Sequence, residues 1–261
     1  MNDSINAYEF TIILLFGLVF GSFLNCTAMR IVRREDFVHG RSRCIVCGHE
    51  LGAADLLPVI SWVFLRGACR YCKSRISLRY PLTELLFAAL ACGLYLRFGF
   101  SVRLCRDLVL AGCLFTLSLV DLESFEIPDG CLLIGLLAWI VSLPLLGMTA
   151  REILSHILSG AVYGAGMLTI SLLFDALLKK ESMGGGDIKL IALLGLYLGF
   201  LGAYFMILAA CVLGLIAAGG RALFLKQRFF KPIPFGPSIA MAGYIMLLLG
   251  EQLAQWYLGL F

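Results

Sequence analysis

Long apolar segments recur along the whole chain, and they constrain its fold more than any other feature. A helix that crosses the hydrocarbon core of a bilayer needs about 20 mostly apolar residues. Eight segments meet or approach this length: 9–29, 82–98, 104–120, 129–147, 157–178, 188–201, 203–224 and 235–258. They lack the alternation of apolar and polar residues that marks a membrane β-barrel. The sequence therefore predicts an all-α polytopic membrane protein with eight transmembrane helices.

Composition supports this prediction. Hydrophobic residues make up 61% of the 261 residues and charged residues only 15%, against about 45–50% and about 25% in ordinary soluble domains. One soluble core of this size cannot bury such an excess of apolar residues. The same composition excludes a disordered, collagen-like or small disulfide-stapled protein. We do not expect the first segment to be a cleaved signal peptide, because it is long and Asp3 and Glu9 stand where basic residues would.

The distribution of Lys and Arg predicts the orientation of the helices. Of the 21 basic residues, 17 lie in or beside the odd-numbered connections and 4 beside the others. Because cytoplasmic connections are enriched in basic residues, the odd connections are predicted to be cytoplasmic and both termini periplasmic. Residues 1–29 then form the first helix, 30–81 a cytoplasmic loop and 82–261 a seven-helix core. The net charge of +4 suits anionic membrane lipid; without a basic stripe among aromatic residues, no nucleic-acid partner is expected.

Glycines at four-residue spacing occur in several of the apolar segments. Small residues at this spacing allow helices in a membrane to approach closely. We interpret these glycines as helix-packing positions only: Gly17 with Gly21, Gly160 with Gly164, and Gly195 with Gly199.

The polar loop contains two Cys-x-x-Cys pairs, Cys44 with Cys47 and Cys69 with Cys72, separated by 21 residues. Two such pairs make a closed tetrahedral zinc site, although this separation is just longer than the usual range of about 15–20 residues. We predict that the four cysteines bind a structural zinc ion, which supplies folding energy to a loop with too little core to fold alone.

Other interpretations of these cysteines are weaker. A pair of disulfides is disfavoured in the reducing cytoplasm, and the repeated spacing argues against four unconnected thiols. His49 is a further candidate ligand, but four cysteines already complete a tetrahedral shell.

Two acidic motifs lie at the predicted cytoplasmic ends of apolar segments. Asp121 ends the third segment and opens the run 121–129, which has four acids and no base. Asp187 follows three glycines, 184–186, at the start of the sixth segment. Each motif alone has an ordinary explanation, since short acidic loops occur and Asp187 suits a helix N-terminus as a cap.

Together, the two motifs indicate a catalytic pair. Asp121 and Asp187 are predicted at the same depth on the same side of the membrane. If the third and sixth helices pack together, the two carboxyl groups face each other and share one proton, because both cannot ionise at contact. This arrangement is typical of an aspartic protease, in which one carboxylate activates water and its protonated partner donates to the peptide carbonyl.

These motifs resemble those of the type IV prepilin peptidase family, a group of membrane aspartic proteases with a Gly-x-Gly-Asp signature. The resemblance extends over nearly the whole chain and rests on motifs in a fixed order: 21–25, both cysteine pairs, 58–62, 79–84, 121–129, 184–187 and 234–237. One position departs from the family pattern, because Glu123 stands where many relatives have Asp.

The resemblance implies two activities at the cytoplasmic face of the bacterial inner membrane. The first is cleavage of the basic leader of type IV prepilins and pilin-like secretion subunits, with Asp121 and Asp187 at the catalytic positions. The second is N-methylation of the new terminus with S-adenosylmethionine as donor, whose binding residues the motifs do not identify. A peptidase without methylation, a zinc-loop scaffold and a transporter remain alternatives, although a transporter should show inverted repeats and midplane sites.

Overall fold

The computed structural model describes residues 6–36, 41–179, 183–224 and 233–259. Within these ranges the regular structure is helical, and the only β-pairing consists of two isolated bridges. The α-helices are α1 (Ala7–Arg33), α2 (Ile60–Phe64), α3 (Arg79–Phe98), α4 (Val102–Ser124), α5 (Asp129–Leu145), α6 (Ala150–Leu178), α7 (Gly185–Phe224) and α8 (Gly236–Leu258). The predicted all-α class is confirmed for the described residues.

Five of these helices are long and apolar enough to cross a membrane: α1, α3, α6, α7 and α8. The helix α5 is apolar but shorter, and α4 has charged residues near both ends. The chain is therefore an integral membrane protein by length and composition, while the crossing of all eight predicted segments stays a prediction.

The chain divides into two compact units, Met1–Leu104 and Cys105–Phe261. In the first unit α1 packs against α3 through bare glycine backbone. A Cβ atom on Gly17 would lie 2.6 Å from the Cα of Ala88, and one on Gly21 would lie 2.9 Å from the Cα of Glu84. Any side chain at either position would clash with backbone, so the predicted packing role of these two glycines is confirmed.

In the second unit α4 is surrounded by protein over two turns, because every residue from 110 to 117 is buried. A helix that is apolar and buried on all its faces belongs to the interior of a fold. The cytoplasmic end predicted for α4 carries Asp121, so this central helix brings the carboxyl group to the middle of the bundle end.

The helix α7 reverses direction at Gly199, where φ is 67° and ψ is −176°. A straight helix would separate Gly186 from Gly214 by about 42 Å at 1.5 Å per residue. Instead, Gly186 lies against Ile127, which also contacts Gly236, and Gly214 lies against Phe235. Gly186, through Ile127, and Gly214 therefore both approach the dipeptide Phe235–Gly236, so the arm 185–198 and the arm 200–224 run in opposite directions.

Side chains of α6 satisfy carbonyl groups at this reversal. The Nδ1 of His156 donates to the carbonyl of Leu196 at 2.7 Å, and the hydroxyl of Tyr163 donates to the carbonyl of Phe200 at 2.9 Å. The interpretation of Gly199 as a packing glycine is wrong, because its positive φ makes the turn between the arms. Gly160 does pack as predicted, since a Cβ on Gly195 would lie 2.8 Å from its Cα.

Candidate active site and metal centre

The two cysteine pairs form two copies of the same backbone turn. The N–H of Cys44 donates to the carbonyl of His49 at 2.9 Å, and the N–H of Cys69 donates to the carbonyl of Ser74 at 2.8 Å. In each copy the residue after the second cysteine is left-handed: Gly48 has a φ of 72° and Lys73 a φ of 59°. The repeated spacing in the sequence thus becomes a repeated knuckle in the structure.

The knuckles bring the four sulfur atoms of Cys44, Cys47, Cys69 and Cys72 within 4.8 Å of one another. The Sγ atoms of Cys44 and Cys72 are 3.8 Å apart, which is about the edge of a tetrahedron with Zn–S bonds of about 2.3 Å. Backbone N–H groups of Cys47 and Val46 lower the pKa of Cys44 to about 6, which favours the thiolate that a metal requires. This cluster could hold zinc.

Asp55 anchors the second knuckle. Its side chain is only 7% exposed, and its Oδ1 accepts from the Nε of Arg70 at 2.6 Å. Its Oδ2 accepts from the hydroxyl of Tyr71 at 3.4 Å. The hydrogen bond from Arg70 holds the pKa of Asp55 below its usual value. Because Arg70 and Tyr71 lie between Cys69 and Cys72, the ionised carboxylate fixes the shape of that knuckle.

Glu84 joins the loop to α3. It is buried, and its Oε2 accepts from the N–H of Val59 at 2.7 Å, just before α2. The indole of Trp62 in α2 donates to the carbonyl of Ile76, which follows the second knuckle. The sequence analysis placed Glu84 in a recurrent motif without giving it a role; the structure shows that it fixes the loop to the helix.

Asp121 lies at the end of α4 and is 5% exposed. Its Oδ2 accepts a hydrogen bond from the N–H of Gly236 at 2.9 Å, although the two residues are 115 positions apart. A Cβ on Gly236 would lie 2.6 Å from the same oxygen. Only glycine at this position allows the backbone to hold the carboxyl group so closely.

Asp187 lies in the first turn of α7. Its Oδ1 is buried and has no hydrogen-bond partner among the described residues. The side chain is close enough to Asp121 for the two carboxyl groups to interact electrostatically. The structure therefore brings the two carboxyl groups within electrostatic range of each other, and their direct contact and their catalytic role remain predictions.

Ile127 lies between the segments that carry the two carboxyl groups. A Cβ on Gly186 would lie 2.8 Å from its Cβ, and a Cβ on Gly236 would lie 3.4 Å from its Cδ1. The side chain of Ile127 therefore fills the space between the backbone before Asp187 and the backbone that binds Asp121. Glycine at 186 and 236 makes this close packing possible, which the sequence pattern alone did not indicate.

The acidic run after Asp121 has a basic partner in the structure. The ammonium group of Lys189 lies 2.7 Å from the Oδ1 of Asp129, and both side chains are exposed. The run contains no base in the sequence, but α7 supplies one. An exposed pair of this kind contributes about 0–1 kcal/mol to stability, so its main effect is to compensate the charge of Asp129.

One buried charged group escaped the sequence analysis. Asp107 in α4 is completely buried, and its Oδ1 accepts from the Nε of Arg106 at 2.7 Å. The guanidinium of Arg106 lies 5.1 Å from the ring centre of Tyr197 in α7, and the Tyr197 hydroxyl donates to the carbonyl of Gly135 in α5. The sequence did contain a signal for this buried group, namely an acid inside the apolar segment 104–120, because charged residues in such segments have specific partners.

Comparison with known proteins agrees with this arrangement. The family model of the bacterial peptidase A24 N-terminal domain matches residues 15–98, and that of the type IV leader peptidase family matches residues 108–219. This chain belongs to the type IV leader peptidase family. The two matched regions fall one in each structural unit, and the second contains both Asp121 and Asp187.

Relatives of similar length support the same membership. Proteins named prepilin leader peptidase/N-methyltransferase are 33% identical in Aeromonas hydrophila and 34% identical in Pseudomonas putida, each alignment covering 95% of this chain and 93% of the relative. A protein of the same name from Bacillus subtilis is 32% identical over 95% of this chain and 97% of its own length. No solved structure matches the chain.

Proposed function

We propose that this protein cleaves the leader peptide from prepilins and pilin-like precursors and then methylates the new N-terminus. Family membership supports a peptidase with methyltransferase activity, because its relatives over nearly the full length have that name. The observation that carries the peptidase assignment is that Asp187 lies within electrostatic range of Asp121, whose carboxyl group binds the Gly236 backbone.

The carboxyl pair suits acid–base hydrolysis of a peptide bond. Two carboxyl groups in contact share one proton. The ionised group takes a proton from an attacking water, and the protonated group donates to the carbonyl oxygen of the substrate. The N–H of Gly236 occupies one oxygen of Asp121 and fixes the orientation of its carboxyl group. The other oxygen of Asp121, and the Oδ1 of Asp187, which has no partner among the described residues, remain for water and substrate.

The location of the pair suits a substrate with a basic leader followed by an apolar helix. We place the active site at the cytoplasmic edge of the inner membrane, with eight crossing segments and both termini in the periplasm. The leader is then in the cytoplasm and the apolar segment in the bilayer, with the scissile bond at the edge. The exposed acids Glu123 and Glu126, which follow Asp121, attract the basic leader.

We further propose that Cys44, Cys47, Cys69 and Cys72 bind a structural zinc ion. The spacing of their sulfur atoms and the two knuckles support this assignment. Zinc would close the loop and hold it against α3 through Val59 and Glu84. S-adenosylmethionine, implied by the methyltransferase name, supplies an electrophilic methyl group when bound; no residues of this chain are assigned to it.

Coexpression with a prepilin tests this function. The intact mass of the product should show loss of the leader and a gain of about 14 Da for one methyl group. Cleavage without the added mass would favour a peptidase that does not methylate. An unprocessed precursor beside fully inserted enzyme would contradict the proposed function.

A further inference from the structure

An open pocket of about 460 Å³ lies between α7 and the segment before α8 and is not used by the mechanism described above. One wall is a single face of α7, with lining residues at positions i, i+3, i+4 and i+7. The opposite wall is the segment before α8. We name it the Cys211 pocket. Its lining residues are Cys211, Gly214, Leu215, Ala218, Ile233, Pro234 and Phe235.

The pocket is continuous with the active site through the backbone. Phe235 lines the pocket, and the next residue, Gly236, donates its N–H to Asp121. Consecutive Cα atoms are about 3.8 Å apart, so the pocket begins about one residue from the group that orients the carboxyl pair. The pocket is therefore within reach of a substrate whose scissile bond lies at Asp121 and Asp187.

The shape of the pocket depends on a bare stretch of α7. A Cβ on Gly214 would lie 3.1 Å from the ring of Phe235, so glycine allows the aromatic ring to lie against the helix backbone. Beside it, Cys211 and Leu215 are exposed, and Ala218 is small. Space remains next to the ring where larger side chains on this face would fill it.

The chemistry of the lining selects one part of the substrate. None of the lining residues within the described part of the chain is charged, so they offer nothing to the Lys and Arg side chains of a leader. Its volume is within the range of about 300–1,000 Å³ typical of ligand pockets, which accommodates more than one apolar side chain. The matching segment is the apolar helix that follows the scissile bond.

We propose that the Cys211 pocket binds the apolar side chains in the first helical turn after the scissile bond and so positions that bond at the carboxyl pair. One helical turn of the substrate rises about 5.4 Å. This length is similar to the distance of about one residue that separates Gly236, which binds Asp121, from Phe235 in the pocket wall. This inference rests on the proposed function, because it names where the substrate of that same active site binds.

The first test combines one enzyme variant with one substrate variant. Leu215→Trp fills the pocket, and Ile216→Trp is its control, because it adds the same volume at an exposed neighbouring position outside the pocket. The substrate is a membrane-inserted prepilin whose first four residues after the cut are either native or changed to Ser. Cleavage kcat/KM is measured for every combination.

The parent enzyme and Ile216→Trp should lose about tenfold in kcat/KM on the Ser substrate. Leu215→Trp should be about tenfold slower than the parent on the native substrate and lose less than twofold further on the Ser substrate. Equal losses in all three enzymes would overturn the pocket assignment. Failure of the parent to cleave the native substrate would instead contradict the proposed function.

A second measurement does not depend on how well Leu215→Trp folds. A precursor with one cysteine in the first turn after the cut is mixed with the uncleaving Asp187→Asn enzyme under copper phenanthroline. The mixed disulfide should form at Cys211, as mapped by mass spectrometry, and should disappear in Asp187→Asn with Cys211→Ser. Cross-links at other cysteines only, or no cross-link, would overturn the proposal.

Discussion

The two sites of this protein are assembled in opposite ways. The cysteine cluster comes from one short stretch, Cys44 to Cys72, and each half is a local turn closed by its own backbone hydrogen bond. The carboxyl pair comes from three separate segments, since Asp187 lies within electrostatic range of Asp121, which binds the backbone of Gly236. A local site is recognisable from spacing, whereas a distant one depends on helix packing.

The two sites also differ in the residues that they tolerate at tight backbone positions. The cysteine knuckles tolerate a residue other than glycine in a left-handed position, because Lys73 has a φ of 59° where the first knuckle has Gly48. The carboxyl site is stricter, since any side chain at Gly186 or Gly236 would clash with Ile127 or with Asp121. The following predictions test this contrast, from the largest effect to the smallest.

Asp121→Asn or Asp187→Asn should reduce prepilin cleavage by about 10²–10⁴-fold, because an amide cannot exchange the shared proton. Methylation of a peptide that already begins at the mature terminus should persist. The control is Glu251→Gln, an exposed acid near the end of α8, which should cleave normally. Near-normal cleavage by either Asn variant would refute the catalytic pair.

Cys44→Ser should remove most of the bound zinc, measured by elemental analysis, because three thiolates leave the tetrahedral shell incomplete. Methylation should fall more than cleavage if the loop serves the transfer step. Cys105→Ser, an exposed cysteine outside the cluster, should retain full zinc. Equal zinc content in both variants would exclude Cys44 as a ligand.

Gly236→Ala should reduce cleavage about 10²-fold, because the new Cβ would displace the Asp121 carboxyl group and small misplacements have effects of that size. Gly250→Ala in the same helix is the matched control, since its Cβ would meet only Met246 at an ordinary 3.8 Å. Indistinguishable rates for the two variants would show that Gly236 does not position Asp121.

Asp55→Asn should loosen the second knuckle at neutral pH, measured as faster amide hydrogen exchange over 69–76. The pKa of Asp55 is lowered in the folded loop, so its stabilisation is present above the ordinary Asp pKa of about 3.9 and is lost as pH falls through the folded value. The difference in stability of the knuckle between variant and parent, measured by hydrogen exchange, should therefore be constant from pH 7 to about 5 and become smaller at lower pH. A difference in stability that is independent of pH would exclude the ion pair between Asp55 and Arg70 as its cause.

Lys73→Gly should slow zinc loss to a chelator by about two- to fivefold, because glycine removes the strain of the left-handed conformation in the folded loop. Glycine also increases the conformational entropy of the unfolded chain, but this destabilisation is smaller than the strain that is removed. Lys73→Ala is the control: it removes the same charge but keeps the strain, so it should not slow zinc loss. If both variants behave alike, the charge of Lys73 and not its backbone governs the second knuckle.

Much of the molecule is already evident in the residue pattern. The apolar segments predicted an all-α membrane protein, and the break expected between the sixth and seventh segments, at about 202, lies at Gly199. The paired cysteine spacing predicted the sulfur cluster. Spacing succeeds in these cases because hydropathy and short turns are local properties of the chain.

Other features depended on contacts between distant residues. The sequence did not indicate that Gly236 binds Asp121, that Ile127 fills the gap beside Gly186, or that Lys189 pairs with Asp129. It did not indicate that Asp107 is buried or that the ring of His156 binds the carbonyl of Leu196. Each of these depends on which helix faces which, and a periodic pattern does not specify a neighbour.

By itself, then, the amino-acid sequence determined the helical segments, the two knuckles and the acids with catalytic chemistry. Only the tertiary structure decided that the two acids lie near each other and that the backbone of Gly236 orients one of them. The physical reason is that burial and turn geometry are set within a few residues, whereas side chains in different helices meet only after the bundle has packed.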